Sequence, residues 1–185
     1  MIIEPINDKL FSISSVLPTE HVEKLLALDW LNLPCEASPN QKHMFRKRIK
    51  HEEVPLLFDI NLYLSEHCKE LGLMLDFDFD SIATIWWLDM PGMTSGIHFD
   101  TADHPVMQLY WLAPDTTYGT TFYNKMTLRP TQDDIIKEFK FIPNTGYIND
   151  LTGVVTDRIH HGMLNPVPEN SIRVSSMTQF LKNEK

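Results

Sequence analysis

The chain has 185 residues, of which 43% are hydrophobic and 22% are charged, and its formal net charge is −9. This composition is ordinary for a globular protein with one sizeable core. No apolar run approaches the roughly 20 residues that a membrane span needs, and an acidic chain is a poor partner for the phosphates of nucleic acid. The two widely separated cysteines, Cys35 and Cys68, indicate reduced thiols in a cytoplasmic compartment rather than a disulfide framework.

Two helices are predicted in the first part of the chain. One begins near Thr19, a residue suited to a helix N-terminus, and ends at about residue 28. The other begins at Pro55, which is favoured in the first helical turn, and ends at about residue 71. Between them lies a basic segment that is either a solvated charged face or a patch that attracts an anionic substrate. Its basic residues are Lys42, Arg46, Lys47, Arg48 and Lys50.

After Gly72 the sequence changes to short β-rich runs separated by turn residues. Such a series after a helical lead favours a mainly β fold with supporting helices. We therefore expect a single domain over residues 1–185, with mostly helical support in 1–75 and a β core in 76–185. The predicted strands are 82–88, 96–99, 106–112, 120–124, 139–142, 145–148, 154–160 and 172–181.

The segment His98-Phe99-Asp100 closes one of these predicted strands. In an extended strand the side chains of residues i and i+2 share a face, so His98 and Asp100 can reach one metal ion. An imidazole and a carboxylate are two of the three ligands in the 2-His-1-carboxylate site of non-haem Fe(II) proteins. Two similar patterns are less suitable, because the one at His21 falls on a predicted helix and the one at His51 lies among basic residues.

A second group of polar residues follows near the end of the chain. His160 and His161 are adjacent, so on a strand they point to opposite faces and only one can bind the same metal. Arg173 and Ser175 lie two residues apart on the last predicted strand. A forked guanidinium beside a hydroxyl is suited to a carboxylate, such as the second carboxylate of a metal-bound dicarboxylate.

Taken in order, His98-x-Asp100, His161 and Arg173-x-Ser175 resemble the motifs of the 2-oxoglutarate/Fe(II)-dependent oxygenase superfamily, particularly its small prolyl-hydroxylase-like members. The resemblance covers about residues 82–181. Supporting segments are Met90-Pro91-Gly92, Gln108-Leu109-Tyr110-Trp111-Leu112, Gly119-Thr120-Thr121-Phe122-Tyr123 and Pro143-Asn144-Thr145-Gly146-Tyr147. The resemblance implies a double-stranded β-helix core, which is a jelly-roll or cupin-like arrangement.

The resemblance also implies a set of ligands. Fe(II) would be bound by His98, Asp100 and His161, where His161 is favoured over His160 because Gly162 follows it, as in the His-Gly form common in the superfamily. The co-substrate 2-oxoglutarate would be bound by the residues Arg173, Ser175 and Tyr110.

The implied activity is that of a dioxygenase, specifically a hydroxylase, which consumes O₂ and converts 2-oxoglutarate to succinate while oxidising an unidentified prime substrate. Two alternatives stay open. One is a cupin-like metal enzyme that does not use 2-oxoglutarate, and the other is a non-catalytic barrel that only binds a ligand.

Overall fold

The computed structural model describes residues 1–37, 45–126, 129–155 and 158–182. It contains two α-helices, α1 (Thr19–Leu26) and α2 (Pro55–Met74). Its strands are β1 (Ile2–Pro5), β2 (Leu10–Ser14), β3 (Cys35–Ala37), β4 (Arg46–Ile49), β5 (Ser81–Asp89), β6 (Ser95–His98), β7 (Val106–Leu112), β8 (Thr120–Tyr123), β9 (Ile135–Phe139), β10 (Thr145–Asn149), β11 (His160–Met163) and β12 (Arg173–Leu181).

The strands form two antiparallel sheets. The larger has eight strands in the order β1-β2-β10-β7-β12-β5-β4-β3, and the smaller has four in the order β6-β11-β8-β9. The chain alternates between the sheets from β5 to β8, and again from β9 to β12. The β8–β9 pair therefore joins two similar windings of the chain, and the inner faces of the sheets enclose a common space.

Turn residues allow the chain to pass from one sheet to the other. Gly92 has a φ of 86°, in the left-handed region that glycine adopts without strain. Its backbone N–H donates to the carbonyl of Val167 at 2.7 Å, which ties the β5–β6 connection to the segment before β12. The Pro91-Gly92 turn thus sets where β6 begins and, with it, where His98 lies.

The main hydrophobic core lies between the helices and the outer face of the larger sheet. Pro55 occupies the first turn of α2, where its fixed φ suits the helix and its missing N–H is not needed. Trp86 is fully buried on β5, and its indole donates to the Asn61 side chain of α2 at 2.8 Å. The buried face of α2, with helical spacing, consists of Leu57, Ile60, Leu64, Cys68 and Leu71.

Both cysteines are free thiols, as the sequence predicts. Cys68 lies on the buried face of α2, and burial raises the pKa of its thiol to about 12. A thiol with that pKa is protonated at neutral pH, so Cys68 acts as a small core residue. No helix in the described part of the chain is long and apolar enough to cross a membrane.

The predicted mainly β fold with supporting helices is confirmed, and both predicted helices are present. The strand over 106–112 is predicted to the residue, whereas the one predicted at 139–142 lies earlier, at Ile135–Phe139. Within the predicted strand 154–160, residues 156–157 are outside the described residues. His160 and His161 lie on β11 (His160–Met163). The first 75 residues add four strands, β1 to β4, that the sequence pattern does not reveal.

Candidate active site

The three predicted metal ligands converge at one end of the smaller sheet. His98 is the last residue of β6, and Asp100 follows just beyond the strand. His161 on β11 is the direct cross-strand partner of His98, and their ring centroids are 4.6 Å apart. Antiparallel pairing of two short strands therefore brings together residues that are remote in sequence.

The spacing of the ligand atoms fits a single metal ion. Asp100 Oδ1 lies 3.7 Å from His98 Nε2, and its Oδ2 lies 3.5 Å from His161 Nε2. One ligand atom from each of the three side chains can be chosen so that all lie within 4.8 Å of one another. Metal–ligand bonds of about 2.1 Å put neighbouring facial ligands about 3 Å apart, so small side-chain movements would complete the site.

A hydrogen bond at His98 and burial of His161 give the two imidazoles features that suit metal binding. His98 Nδ1 lies 2.7 Å from the carbonyl oxygen of Gly96, which directs its Nε2 towards Asp100. His161 is buried, and its ring stacks on Phe122 with centroids 5.2 Å apart. Burial lowers the pKa of His161 although Asp100 acts to raise it, which favours the neutral, metal-binding ring.

His160 has a different environment from His161. It is partly exposed, and its ring meets Phe99 edge-on at 5.6 Å between centroids. Its cross-strand partner is Tyr123, whereas His161 is paired with Phe122 on one side and His98 on the other. The group with metal-binding geometry contains His161 and not His160.

A buried arginine holds the backbone of Asp100. Arg158 Nη1 donates to the carbonyl oxygen of Asp100 at 2.8 Å, and its Nη2 lies 3.8 Å from the exposed carboxylate of Asp103. The Arg158 side chain is almost entirely buried. It fixes the segment that follows β6 and thereby the direction of the Asp100 carboxylate.

A cavity of about 200 Å³ opens in front of the three candidate ligands. The smaller sheet and the segment after β6 supply one wall, and the inner face of the larger sheet supplies the other. The first wall consists of Ser95, His98, Asp100, Thr120, His161 and Met163, and the second of Arg46, Trp87, Val106, Gln108, Tyr147 and Met177.

Arg173 and Ser175 are buried behind this cavity and do not line it. Arg173 Nε donates to Asp89 Oδ2 at 2.9 Å, and its Nη1 donates to the carbonyl oxygen of Tyr118 at 3.2 Å. Its Nη2 lies 2.8 Å from the same Asp89 oxygen, outside hydrogen-bond geometry. The predicted co-substrate arginine thus faces a carboxylate of the protein itself.

Tyr110 is also outside the cavity lining. Its ring stacks on Phe141 at 4.4 Å between centroids, and its hydroxyl accepts a 3.2 Å hydrogen bond from the backbone N–H of Thr120. Burial raises the pKa of Tyr110 far above its ordinary value, so the hydroxyl stays neutral. Gln108, two residues earlier on the same strand face, does line the cavity.

A third cation near the cavity, after Arg158 and Arg173, is the largely buried Arg46 of β4. Its Nε and Nη2 donate to the two Asp89 carboxylate oxygens at 2.5 and 2.9 Å, and its guanidinium lies over Trp87. Burial would raise the pKa of Asp89, but the guanidiniums of Arg46 and Arg173 lower it below its ordinary value. Asp89 is therefore a buried carboxylate shared by two cations.

Three residues of this region belong to no sequence motif: Arg46, Asp89 and Arg158. Tyr147 ends the segment Pro143-Asn144-Thr145-Gly146-Tyr147, which supports the resemblance but predicts no role for this tyrosine. Arg46 belongs to the basic segment that allows two interpretations from sequence, and the structure separates its members. Arg46 forms part of the cavity wall, whereas Arg48 is half-exposed, 3.7 Å from Glu36. Lys42 lies outside the described residues.

Comparison with solved structures identifies the fold. The structure is similar to a prolyl-4-hydroxylase from Pseudomonas putida, with 14% identity, a TM-score of 0.65, and coverage of 95% of this chain and 93% of the other. It is also similar to SnoN, a non-haem alpha-ketoglutarate-dependent epimerase from nogalamycin biosynthesis, with 11% identity, a TM-score of 0.62 and coverage of 95% and 79%. HygX from Streptomyces hygroscopicus, with nickel and 2-oxoglutarate bound, is 10% identical, with a TM-score of 0.58 and coverage of 94% and 83%.

No protein-family model matches the sequence, and comparison with curated proteins gives no match. The structural likeness confirms the double-stranded β-helix that the sequence motifs predict, and the resemblance to 2-oxoglutarate/Fe(II) oxygenases holds at the level of the fold.

Proposed function

We propose that this protein is a 2-oxoglutarate- and Fe(II)-dependent oxygenase that hydroxylates an unidentified prime substrate. The observation that carries the proposal is the convergence of His98, Asp100 and His161 in a cavity whose opposite wall holds a buried guanidinium. A metal site at one end and a cation at the other match the two ends of 2-oxoglutarate.

In this proposal the chain's own residues bind and orient the reactants. His98, Asp100 and His161 would hold the metal, and all three line the cavity in which the co-substrate would bind. Iron held in this way supplies the activation of O₂, coupled to decarboxylation of 2-oxoglutarate to succinate and CO₂ and to oxidation of a substrate C–H bond. Arg158 orients Asp100, while the apolar side chains of Met163 and Met177 restrict water in the cavity.

The residues predicted from sequence to bind the co-substrate lie behind the cavity wall and support it. Arg173 supplies positive charge behind the cavity wall, and Ser175 lies two residues further on the same strand face. Tyr110 packs beneath the wall and positions Thr120, which lines the cavity. Direct contact of Arg173, Ser175 or Tyr110 with the co-substrate stays a prediction from sequence.

The test is formation of succinate from 2-oxoglutarate by the purified protein with Fe(II) under air. We expect Fe(II)-dependent succinate that is lost in Asp100→Ala, together with a weak visible charge-transfer band when 2-oxoglutarate is added anaerobically to the Fe(II) protein. A protein that binds Fe(II) but shows neither band nor succinate would instead be a metal enzyme that does not use 2-oxoglutarate. A folded protein that binds no metal would be a binding module.

We expect hydroxylation of the prime substrate once one is found, but proteins with this fold also catalyse other reactions. The neighbour SnoN is described as an epimerase that depends on alpha-ketoglutarate. Reaction under ¹⁸O₂ separates the two, because a hydroxylase incorporates one labelled oxygen atom into the product and an epimerase incorporates none. Absence of label in a turned-over substrate would contradict the hydroxylase assignment while leaving the co-substrate assignment in place.

A further inference from the structure

Building on the proposed function, we infer that Arg46, assisted by Tyr147, binds the remote carboxylate of the co-substrate, and that Asp89 and Arg173 position Arg46 from behind. This assignment differs from the one that the sequence motif implies, because Arg46 lies on β4, outside the segment that carries the resemblance.

Arg46 has access to the cavity, and Arg173 does not. The Arg46 side chain is 13% exposed and lines the cavity, whereas the Arg173 side chain is 1% exposed and does not. Among the described residues, Asp89 takes the hydrogen bonds of Arg46 Nε and Nη2, which leaves Nη1 for a ligand. Trp87 lies against the Arg46 guanidinium at 5.5 Å and limits its movement.

Polar side chains line the cavity wall together with Arg46, on the side opposite the candidate metal ligands. Tyr147 lines the cavity and is close enough to both Asp100 and Arg46 for each to influence its ionisation. Burial raises the pKa of Tyr147 well above its ordinary value, so its hydroxyl stays neutral and can donate a hydrogen bond. Gln108, its cross-strand partner on β7, adds an amide to the same wall.

The charged residues around Arg46 also favour an anionic ligand. Arg46, Asp89 and Arg173 are direct cross-strand neighbours on β4, β5 and β12, so they form one row across the sheet. One carboxylate between two guanidiniums leaves a net positive charge, and an incoming carboxylate of opposite sign offsets it. Arg173 Nη2 makes no hydrogen bond, but the Arg173 side chain is buried and does not line the cavity, so the donor that reaches the cavity belongs to Arg46.

The test compares two ligands of equal chain length. The co-substrate 2-oxoglutarate has the remote carboxylate, and 2-oxopentanoate has a methyl group in its place. Affinities are measured by calorimetry on protein loaded with Mn(II), so that turnover is not needed. A charge-assisted hydrogen bond supports a preference of roughly 30-fold for 2-oxoglutarate in the wild type. Arg46→Met should bring that preference close to unity without weakening 2-oxopentanoate.

A second variant separates direct binding from an indirect effect through Arg173. If Arg46 only neutralises Asp89, and Arg173 binds the carboxylate, the double variant Arg46→Met/Asp89→Asn should regain the preference for 2-oxoglutarate. On our assignment the double variant stays as unselective as Arg46→Met. Arg46→Met leaves Asp89 paired with Arg173, whereas the double variant leaves Arg173 without a carboxylate. Thermal unfolding of both variants therefore accompanies the affinity measurements, and either variant that folds tests the assignment.

Arg48→Met is the matched control, because Arg48 lies two residues further on the same strand and does not line the cavity. It should keep the wild-type preference. If Arg46→Met or the double variant also keeps it, the assignment of Arg46 is wrong and the proposed function stands. If the wild type with Mn(II) binds neither 2-oxo acid, the proposed function itself fails.

Discussion

The two ends of the cavity are built in different ways. The candidate metal-binding end lies on short strands of the smaller sheet and just beyond β6, and the His98 and Asp100 side chains are 45% and 36% exposed. The cationic end lies on three adjacent strands of the larger sheet, where Asp89 and Arg173 are both about 1% exposed. One end is accessible to a metal and substrate, whereas the other is a buried part of the sheet.

This difference separates residues that act on ligands from residues that also maintain the fold. Changes at His98 and Asp100 remove exposed side chains that hold little of the core together, so they should reduce activity without unfolding the protein. His161 is buried, so its loss should also reduce stability somewhat. Changes at the buried end leave a charge without its partner, so they should reduce stability as well as binding.

The largest effect is expected at the distal histidine. His161→Ala should lower Fe(II) affinity and succinate formation by more than the roughly 10- to 100-fold typical of losing an outer hydrogen bond to a metal ligand. Metal titration and succinate assays measure the effect, and thermal unfolding checks that the domain remains folded.

His160→Ala is the matched control for that experiment, because the His160 ring packs on Phe99 and does not belong to the group of candidate metal ligands. It should retain near wild-type turnover. Loss of activity in His160→Ala together with retention in His161→Ala would reverse the assignment of the distal ligand and leave the fold unaffected.

Asp89→Asn should destabilise the protein by about 3–5 kcal/mol at pH 7, because it leaves buried guanidiniums without their anion. The folded protein lowers the pKa of Asp89, so the stabilisation is fully present above the unfolded value of about 3.9. It is lost as the pH falls through the lower folded pKa. The difference between wild type and variant in urea unfolding should therefore shrink below pH 4.

The Arg46→Met/Asp89→Asn variant sharpens this test. Removing the bidentate pair as a unit should recover part of the lost stability, since only Arg173 then lacks a carboxylate. A single Asp89→Asn variant as stable as the wild type across this pH range would contradict a structural role for the row of charges.

Predictability from sequence follows the same division. Short-range patterns correctly predict α2 and the strand over 106–112, because Pro55 marks the start of a helix and a short, mostly apolar and aromatic run favours a strand. The strands β1 to β4 were missed. They are short and lie at or near one edge or the other of the larger sheet, where polar residues are tolerated on exposed positions.

Within the site, His98 and Asp100 were detectable because an i, i+2 pattern on a strand places both side chains together. Arg46 and Asp89 were not, because their neighbourhood depends on the pairing of β4 with β5, which no local pattern specifies. The contact of Tyr110 with the co-substrate stays a prediction from sequence: its ring packs on Phe141, and Tyr147 on the adjacent strand lines the cavity.

A smaller effect is expected from Arg158. Arg158→Met removes the hydrogen bond to the Asp100 carbonyl and should weaken Fe(II) binding by about 10-fold, the low end for outer-sphere partners of a metal site. Asp103→Asn is the control, since it removes only the exposed charge 3.8 Å from Arg158 and should change Fe(II) affinity little. Equal metal affinity in wild type and Arg158→Met would show that Asp100 is oriented without Arg158.

The smallest expected effects distinguish the two tyrosines. Tyr110→Phe removes the acceptor of the Thr120 N–H and should cost about 1 kcal/mol of stability, with little change in affinity for 2-oxoglutarate. Tyr147→Phe removes a cavity-lining hydroxyl and should weaken 2-oxoglutarate binding by roughly 2- to 10-fold. Calorimetry on the two Mn(II)-loaded variants compares them directly. A loss of affinity confined to Tyr110→Phe would place the co-substrate deeper, against Arg173, because Tyr110 is the cross-strand partner of Ser175, two residues from that arginine.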